Sequence, residues 1–93
     1  DFMANNEVFD IFFREKPAMM LIHLKNAKDT TYASSLAKQV DCTYSHVVKI
    51  LQKMQDLGLV LFEKQGRLKL LKLTKKGRDV AEAMDTARNL LLN

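Results

Sequence analysis

The fold of this 93-residue chain is decided by the stretch SSLAKQVDCTYSHVVKILQKMQDLGLV, which spans residues 34–60. Apolar residues recur in it at helical spacing, and the pattern predicts two helices within residues 33–57. Asp41 interrupts the pattern, and aspartate tolerates the positive φ of a tight turn. Either Thr43 or Ser45 can cap the second helix by accepting a hydrogen bond from an early backbone N–H. The stretch therefore predicts a helix-turn-helix.

The apolar positions predict which faces of the two helices pack together. The inward-facing side chains are Leu36, Ala37, Val40, Cys42, Val47, Leu51 and Met54. Among them, Cys42 is interpreted as a small packed hydrophobe rather than a redox sensor. The outer face of the second helix carries Tyr44, Ser45, His46, Val48, Lys49, Gln52 and Lys53. A helix fits the major groove of duplex DNA, where its N-terminal residues reach base edges.

A basic hairpin is predicted directly after the second helix. Its strands are expected over 59–64 and 67–74, with Gln65-Gly66 as the turn because glycine supplies positive φ. The expected register pairs Lys64 with Arg67 and Phe62 with Lys69. The two consecutive leucines at 70–71 break the alternation, which we interpret as a β-bulge. A basic hairpin beside a helix in the major groove can reach neighbouring phosphates or the minor groove.

Further helices are predicted on both sides of this unit. One is expected over 6–14 and another over 17–27, where Pro17 suits the first helical turn. A last helix is expected over 75–92, capped by Thr74. The chain is thus predicted to be one domain over 1–93, of the α+β class with helices predominating.

The positive charge is concentrated in the middle of the chain. The net charge is +4, but residues 38–78 carry +7, whereas residues 1–37 carry −1 and residues 79–93 carry −2. Concentrated positive charge favours a polyanionic partner. A solvated basic face without a partner is the alternative interpretation.

Composition excludes several other classes. Apolar residues make up 47% of the chain and charged residues 28%, which is typical of a folded soluble domain. With one cysteine, neither a disulfide framework nor a cysteine zinc site is possible within one chain. No apolar run is long enough for a membrane span, and no signal peptide is visible, so a cytoplasmic location is expected without a membrane partner. No catalytic triad, phosphate loop or metal spacing is present, and we expect a non-enzyme without cofactor or metal.

Two stretches resemble the MarR-like group of bacterial and archaeal winged-helix regulators. Residues 34–60 are similar to their helix-turn-helix and end in the leucine-glycine-leucine that leads into the wing. The stretch LKLTKKGRDV, residues 71–80, is similar to their strand-to-helix junction, with Leu73-Thr74 followed by Gly77. The resemblance implies a winged helix-turn-helix with a three-helix core and a two-stranded wing over 59–74. It also implies transcriptional regulation through sequence-specific binding of double-stranded DNA.

Ten residues are predicted to bind DNA by this resemblance and by their positions on the outer face and hairpin tip. They are Thr43, Tyr44, Ser45, His46, Lys49, Gln52, Lys53, Lys64, Gln65 and Arg67. Lys49 and Lys53 lie one helical turn apart, and the glycine turn presents Arg67 at an exposed tip. For Lys49, Lys53 and Arg67, the alternative interpretation is a solvated position on the surface without a partner.

The terminal helices carry more apolar surface than short helices need, which predicts a homodimer. The residues concerned are Phe9, Phe12, Phe13, Leu90 and Leu91. A dimer suits a reader of symmetric half-sites, whereas the alternative is that these residues cover the core of a monomer. A winged-helix protein-interaction module that does not bind DNA is the alternative function. RNA binding is also open, although the sequence lacks stacking aromatics on a sheet.

Overall fold

The structure is a computed structural model that describes residues 8–9, 13–28 and 30–93. Within these residues it contains four helices and one three-stranded antiparallel sheet, in which β3 lies between β1 and β2. In chain order the elements are α1 (Glu15–Asn26), β1 (Thr31–Tyr32), α2 (Ala33–Gln39), α3 (Tyr44–Asp56), β2 (Val60–Gln65), β3 (Leu68–Leu73) and α4 (Lys75–Leu92). This architecture confirms the predicted α+β winged helix. The helix predicted over 6–14 lies largely outside the described residues, although Val8 and Phe9 are helical.

The turn between α2 and α3 is the predicted one. Asp41 has a φ of 53°, the left-handed conformation that ends many helices. The Cys42 N–H donates to the Ala37 carbonyl (3.0 Å) and the Asp41 N–H to the Lys38 carbonyl (3.3 Å), which is the hydrogen-bond pattern of a Schellman motif. Thr43 caps α3, because its hydroxyl accepts a hydrogen bond from the His46 N–H.

The end of α3 repeats this motif and joins the helix to the hairpin. Gly58 has a φ of 77°, and the Leu59 N–H donates to the Met54 carbonyl (2.9 Å). Thr74 closes the hairpin at its base, since its N–H donates to the Leu59 carbonyl (3.0 Å) and its hydroxyl to the Gly58 carbonyl (2.6 Å). The same hydroxyl accepts from the Gly77 N–H and so caps α4, as predicted. A Cβ at Gly77 would lie 1.9 Å from the Leu59 carbonyl oxygen, so only glycine fits there.

One hydrophobic core unites these elements. Its members are Met20, Leu21, Leu24, Ala33, Leu36, Ala37, Val40, Val47, Ile50, Leu51, Met54, Leu59, Val60, Leu71 and Ala81. The predicted contact between the helices of the helix-turn-helix is therefore confirmed, and Cys42 packs against this core in a partly buried position.

The predicted hairpin register is wrong by two residues. Lys64 pairs with Lys69 instead of Arg67, and Phe62 pairs with Leu71 instead of Lys69. The two turn residues are Gly66 and Arg67, and Gly66 has a φ of 60°. The observed turn has glycine at its first position, and such a turn needs a positive φ at that position alone. The predicted turn would require a positive φ at Gln65, which is unfavourable for a residue with a side chain. A shift of two residues leaves every side chain on its predicted face.

The predicted bulge at Leu70-Leu71 is also wrong. Both leucines belong to an uninterrupted ladder, opposite Glu63 and Phe62. They are buried on opposite faces of the sheet, because Leu71 joins the main core while Leu70 lies beside Tyr32 of β1. Strand β1 was not predicted, so the sheet has three strands instead of the expected two.

Candidate nucleic-acid interface

The side chains of α3 divide into a buried face, an outward stripe and two flanks. The buried face consists of Val47, Ile50, Leu51 and Met54. The outward stripe, on the opposite side of the helix, consists of Ser45, Lys49 and Gln52, all exposed. One amide hydrogen of Gln52 is engaged by the Asp56 carboxylate (Nε2 to Oδ1, 3.3 Å). The outward stripe thus presents hydrogen-bonding groups and one positive charge along two turns of helix.

One flank of α3 faces the start of α1. His46 and Lys53 on this flank line a groove of about 250 Å³ together with Arg14 and Lys16. Lys53 is half-buried rather than fully outward, in contrast to Lys49. Arg14 and Lys16 were not predicted at this site, because nothing in the local sequence shows that α1 begins beside a helix about thirty residues further along the chain.

The other flank of α3 faces α2. Tyr44 is 48% exposed and lines a shallow hollow with Thr43 of the turn. Ser34 and Lys38 of α2, one helical turn apart, line the same hollow. Their spacing on the exposed face of the first helix was visible in the sequence, but they were not selected. The structure therefore adds a base, Lys38, at this edge of the candidate interface.

The hairpin tip is exposed as predicted. Lys64, Gln65, Gly66 and Arg67 are all exposed, and the Gln65 amide oxygen accepts from the Tyr32 hydroxyl at 3.5 Å. Behind the tip, the ammonium of Lys69 lies 5.6 Å from the centre of the Phe62 ring. Lys72 forms an ion pair with Glu63 across the strands at 3.0 Å. The charge at the back of the hairpin is thus partly engaged, whereas the tip is directed to solvent.

The first two bases that follow the hairpin, Lys75 and Lys76, are engaged within the chain. Lys75 forms an ion pair with Asp79 (2.9 Å), and this hydrogen bond raises the pKa of Lys75. Lys76 donates to the Leu57 carbonyl (3.0 Å) at the end of α3, where a cation is favourable for the helix dipole. Both bases therefore have partners within the chain.

A second surface, formed by α1 and α4, is apolar. It contains a groove of about 650 Å³ with Glu15 and Arg88 as its charged members. The other lining residues are Phe13, Ala18, Met19, Ile22, Val80, Ala83, Met84, Ala87 and Leu91. Phe13 and Leu91 remain 74% and 87% exposed, so this surface has a large unpartnered apolar area within the described part of the chain.

A buried carboxylate lies beside this apolar surface. Asp85 of α4 is 8% exposed and accepts hydrogen bonds from Lys25 of α1 (2.7 Å) and from Arg88 (2.9 Å). The bond from Lys25, followed by that from Arg88, lowers the pKa of Asp85. This cluster fastens α1 to α4.

Other kinds of site are not found among the described residues. No group of histidine, cysteine and acidic side chains there could hold a metal ion. In the same part of the chain, no helix has the length and apolarity that crossing a membrane requires.

A helix-turn-helix with an outward polar stripe, followed by a hairpin with a basic tip, defines a winged-helix module of the DNA-binding type. The family described as "Winged helix DNA-binding domain" matches residues 15–77, which is more than half of the chain. The chain belongs to this family.

Similar proteins match nearly the whole chain. An uncharacterized protein of Archaeoglobus fulgidus is 26% identical over 91 residues, covering 95% of this chain and 96% of the relative. The crystal structure of AF1382 from Archaeoglobus fulgidus superposes with a TM-score of 0.84 at 25% identity, covering 92% of this chain and 98% of that one. MepR, a transcription regulator of the Staphylococcus aureus multidrug efflux pump MepA, has a TM-score of 0.77 at 18% identity, covering 97% of this chain and 68% of MepR. The winged-helix resemblance predicted from the sequence is therefore confirmed.

Proposed function

We propose that the protein is a transcriptional regulator that binds double-stranded DNA sequence-specifically. In this proposal α3 lies in the major groove and the β2–β3 hairpin lies on the adjacent backbone or in the minor groove. The observation that carries it is the exposed stripe of α3, which is followed in the chain by an exposed basic hairpin tip, both within the segment 38–78 that carries +7. The known complex of MepR with DNA, which has this fold (TM-score 0.75, 18% identity), supports the proposal by analogy. Such a regulator acts in the cytoplasm.

The predicted residues receive different roles in this proposal. The outward stripe of Ser45, Lys49 and Gln52 faces base edges, where lysine suits guanine and glutamine suits adenine. The remaining predicted residues contact sugar and phosphate: Thr43, Tyr44, His46, Lys53, Lys64, Gln65 and Arg67. Contacts of this second kind fix the register of the protein on the duplex, whereas the first kind reads sequence.

The test is fluorescence anisotropy with a random-sequence duplex titrated at several salt concentrations. The expected result is binding in the micromolar range that weakens with salt. The logarithm of the association constant should fall by roughly 0.9 per unit of log salt concentration for each phosphate neutralised. Arg67→Ala should reduce that slope by about 1 if the tip meets a phosphate. Absence of binding at the lowest salt would contradict the proposal.

We also propose that two copies associate through the apolar surface of α1 and α4. The support is the apolar groove lined by Phe13, Met84 and Leu91, of which Phe13 and Leu91 are largely exposed, since contiguous exposed apolar side chains are suited to an interaction site. Two-fold symmetry would present two recognition helices to symmetric half-sites. Sedimentation that finds only monomer at micromolar concentration would overturn this arrangement.

A protein-interaction module remains the second candidate because of one feature of the hairpin. Leu61 and Leu68 on its outer face are 55% and 46% exposed. Exposed leucines on a sheet face are suited to binding another protein. A chain that fails to bind duplex DNA at low salt, but keeps its fold, would favour this function.

A further inference from the structure

An acidic residue lies at the C-terminal end of the outward stripe of α3. Asp56 is exposed and follows Gln52 by four residues, so the two side chains are neighbours on the same side of the helix. The Asp56 carboxylate accepts a hydrogen bond from the Gln52 amide nitrogen (Oδ1 to Nε2, 3.3 Å). It forms no ion pair with a base in the described part of the chain. Its partner is therefore a neutral amide.

Electrostatic attraction does not account for an acid at this position. Asp56 is the one acidic residue of α3, and a carboxylate in the last turn of a helix opposes the helix dipole. It also lowers the positive charge of the segment 38–78, which carries +7. Glu63 in the same segment is paired with Lys72 across the strands, whereas Asp56 has no such compensation. The hydrogen bond to Gln52 is the contact that distinguishes Asp56 from these acids.

This hydrogen bond fixes the direction in which the Gln52 amide points. The terminal torsion of a glutamine has two broad orientations, which exchange the positions of its oxygen and its nitrogen. An ionised carboxylate only accepts hydrogen bonds, so Asp56 attracts the amide nitrogen and repels the amide oxygen. The amide oxygen and the second N–H of Gln52 are the groups that remain for a ligand. They are one acceptor and one donor.

One acceptor and one donor match adenine rather than guanine. In the major groove adenine presents the N6 amino donor beside the N7 acceptor, whereas guanine presents two acceptors, N7 and O6. We propose that Asp56 is a positioning residue, which holds the Gln52 amide in the orientation that reads adenine. The proposal rests on the proposed function, in which Gln52 faces a base edge. It adds a specificity-determining residue to the ten predicted from the sequence.

The test starts from the duplex that the wild-type chain selects from a random-sequence pool. Anisotropy then compares this duplex with others in which one A·T pair at a time is replaced by G·C. Gln52→Ala should remove a preference for adenine of about tenfold at one pair, as expected for a bidentate contact. The pair that this variant identifies is the one at which the Asp56 variants are measured.

Two variants of Asp56 separate the orientation of the amide from the mere presence of a hydrogen bond. Asp56→Asn still allows a hydrogen bond to Gln52, but an asparagine amide can also donate to the Gln52 oxygen and leave both amide hydrogens to guanine. The preference for adenine at that pair should therefore fall by about threefold or more, since the two orientations are no longer distinguished. Asp56→Glu keeps a carboxylate within reach and should retain the preference.

The change in charge needs its own control. Asp56→Asn removes a negative charge, which should tighten binding to every duplex at low salt by the same factor and leave the preference between two duplexes unchanged. Asp41→Asn is the matched variant, because it removes an exposed carboxylate from the turn before α3, where asparagine tolerates the φ of 53°. It should tighten binding without changing the preference.

Three results would overturn the inference while the proposed function stands. They are a wild-type preference in Asp56→Asn, an equal loss of preference in Asp41→Asn or Asp56→Glu, and a Gln52→Ala variant that affects no A·T pair. If the wild-type chain selects no preferred duplex from the pool, the proposed function falls, and this inference falls with it.

Discussion

Two surfaces of the molecule share one core but differ in chemistry. One is formed by α3 and the hairpin tip, and the other is formed by α1 and α4. The first presents lysine, arginine and amide groups to solvent, whereas the second presents methionine, alanine, leucine and phenylalanine. Ionic attraction to a polyanion weakens with salt, and burial of apolar area does not. Binding at the first surface should therefore weaken as salt is added, whereas binding at the second should not. Variants in one surface should leave binding at the other unchanged.

The largest effect is expected at the junction that both surfaces depend on. Gly77→Ala would place a Cβ against the Leu59 backbone, which cannot move without disturbing the end of α3 and the base of the hairpin. We expect a loss of roughly 3 kcal/mol in the free energy of unfolding, measured by urea denaturation. Gly66→Ala is the control, because nothing lies within 4 Å there and only the positive φ costs about 1 kcal/mol. Equal losses in the two variants would contradict the close approach at Gly77.

The next effect should be confined to the surface formed by α3 and the hairpin tip. Lys49→Ala combined with Lys53→Ala should weaken duplex binding at least tenfold, at about 1 kcal/mol or more per contact, without lowering the unfolding midpoint. The matched control removes Lys28 and Lys75 instead; Lys28 is exposed after α1, and Lys75 is paired with Asp79. Anisotropy gives the affinity, and unchanged binding by the α3 double variant would remove the assignment of α3 as the recognition helix.

A complementary change should affect only the apolar surface. Leu91→Glu places a charge in the exposed groove lining and should convert the proposed dimer to monomer in sedimentation at micromolar concentration. The isolated fold should be unaffected, because Leu91 is 87% exposed. Leu61→Glu, at a leucine of the hairpin that is 55% exposed, should leave the sedimentation unchanged. Loss of the dimer in both variants would place the interface elsewhere.

The smallest effect concerns the carboxylate that fastens α1 to α4. Because the pKa of Asp85 is lowered in the folded chain, its ion pairs stabilise the fold above its ordinary pKa of 3.8, and this stability is lost as the pH falls through the lowered value. Asp85→Asn should therefore melt at a lower temperature than the wild type at neutral pH. The difference between the two should shrink in acid, and a difference independent of pH would contradict the ionic role.

Elements fixed by local chemistry could be predicted from the sequence, and elements fixed by distant partners could not. The turns at Asp41 and Gly58 are closed by hydrogen bonds to the preceding helix, so their positions were predictable. Strand β1 exists only because Thr31 and Tyr32 pair with β3 about forty residues later, which no local pattern indicates. The hairpin register depends on whether Gly66 is the first or the second residue of the turn. Both registers give the same alternation of side chains, so the alternation could not distinguish them.

The candidate site divides in the same way. The outward stripe of α3 follows from helical periodicity, so Ser45, Lys49 and Gln52 were selected correctly as exposed. Lys53 is half-buried and shares a groove with Arg14 because α1 packs beside α3. The periodicity of apolar residues within α3 carries no information about this packing. Roles on DNA remain predictions for all ten residues.

The hydrogen bonds of Thr74 make the length of the hairpin independent of the rest of the domain. Because Thr74 is tied to Leu59 and Gly58, the chain leaves and re-enters the body of the domain at one point. The tip beyond the contacts with β1 can therefore be lengthened or shortened, in steps that conserve the faces of the strands, without altering the helices. In the proposed complex, reach along a duplex can thus vary independently of the outward stripe of α3.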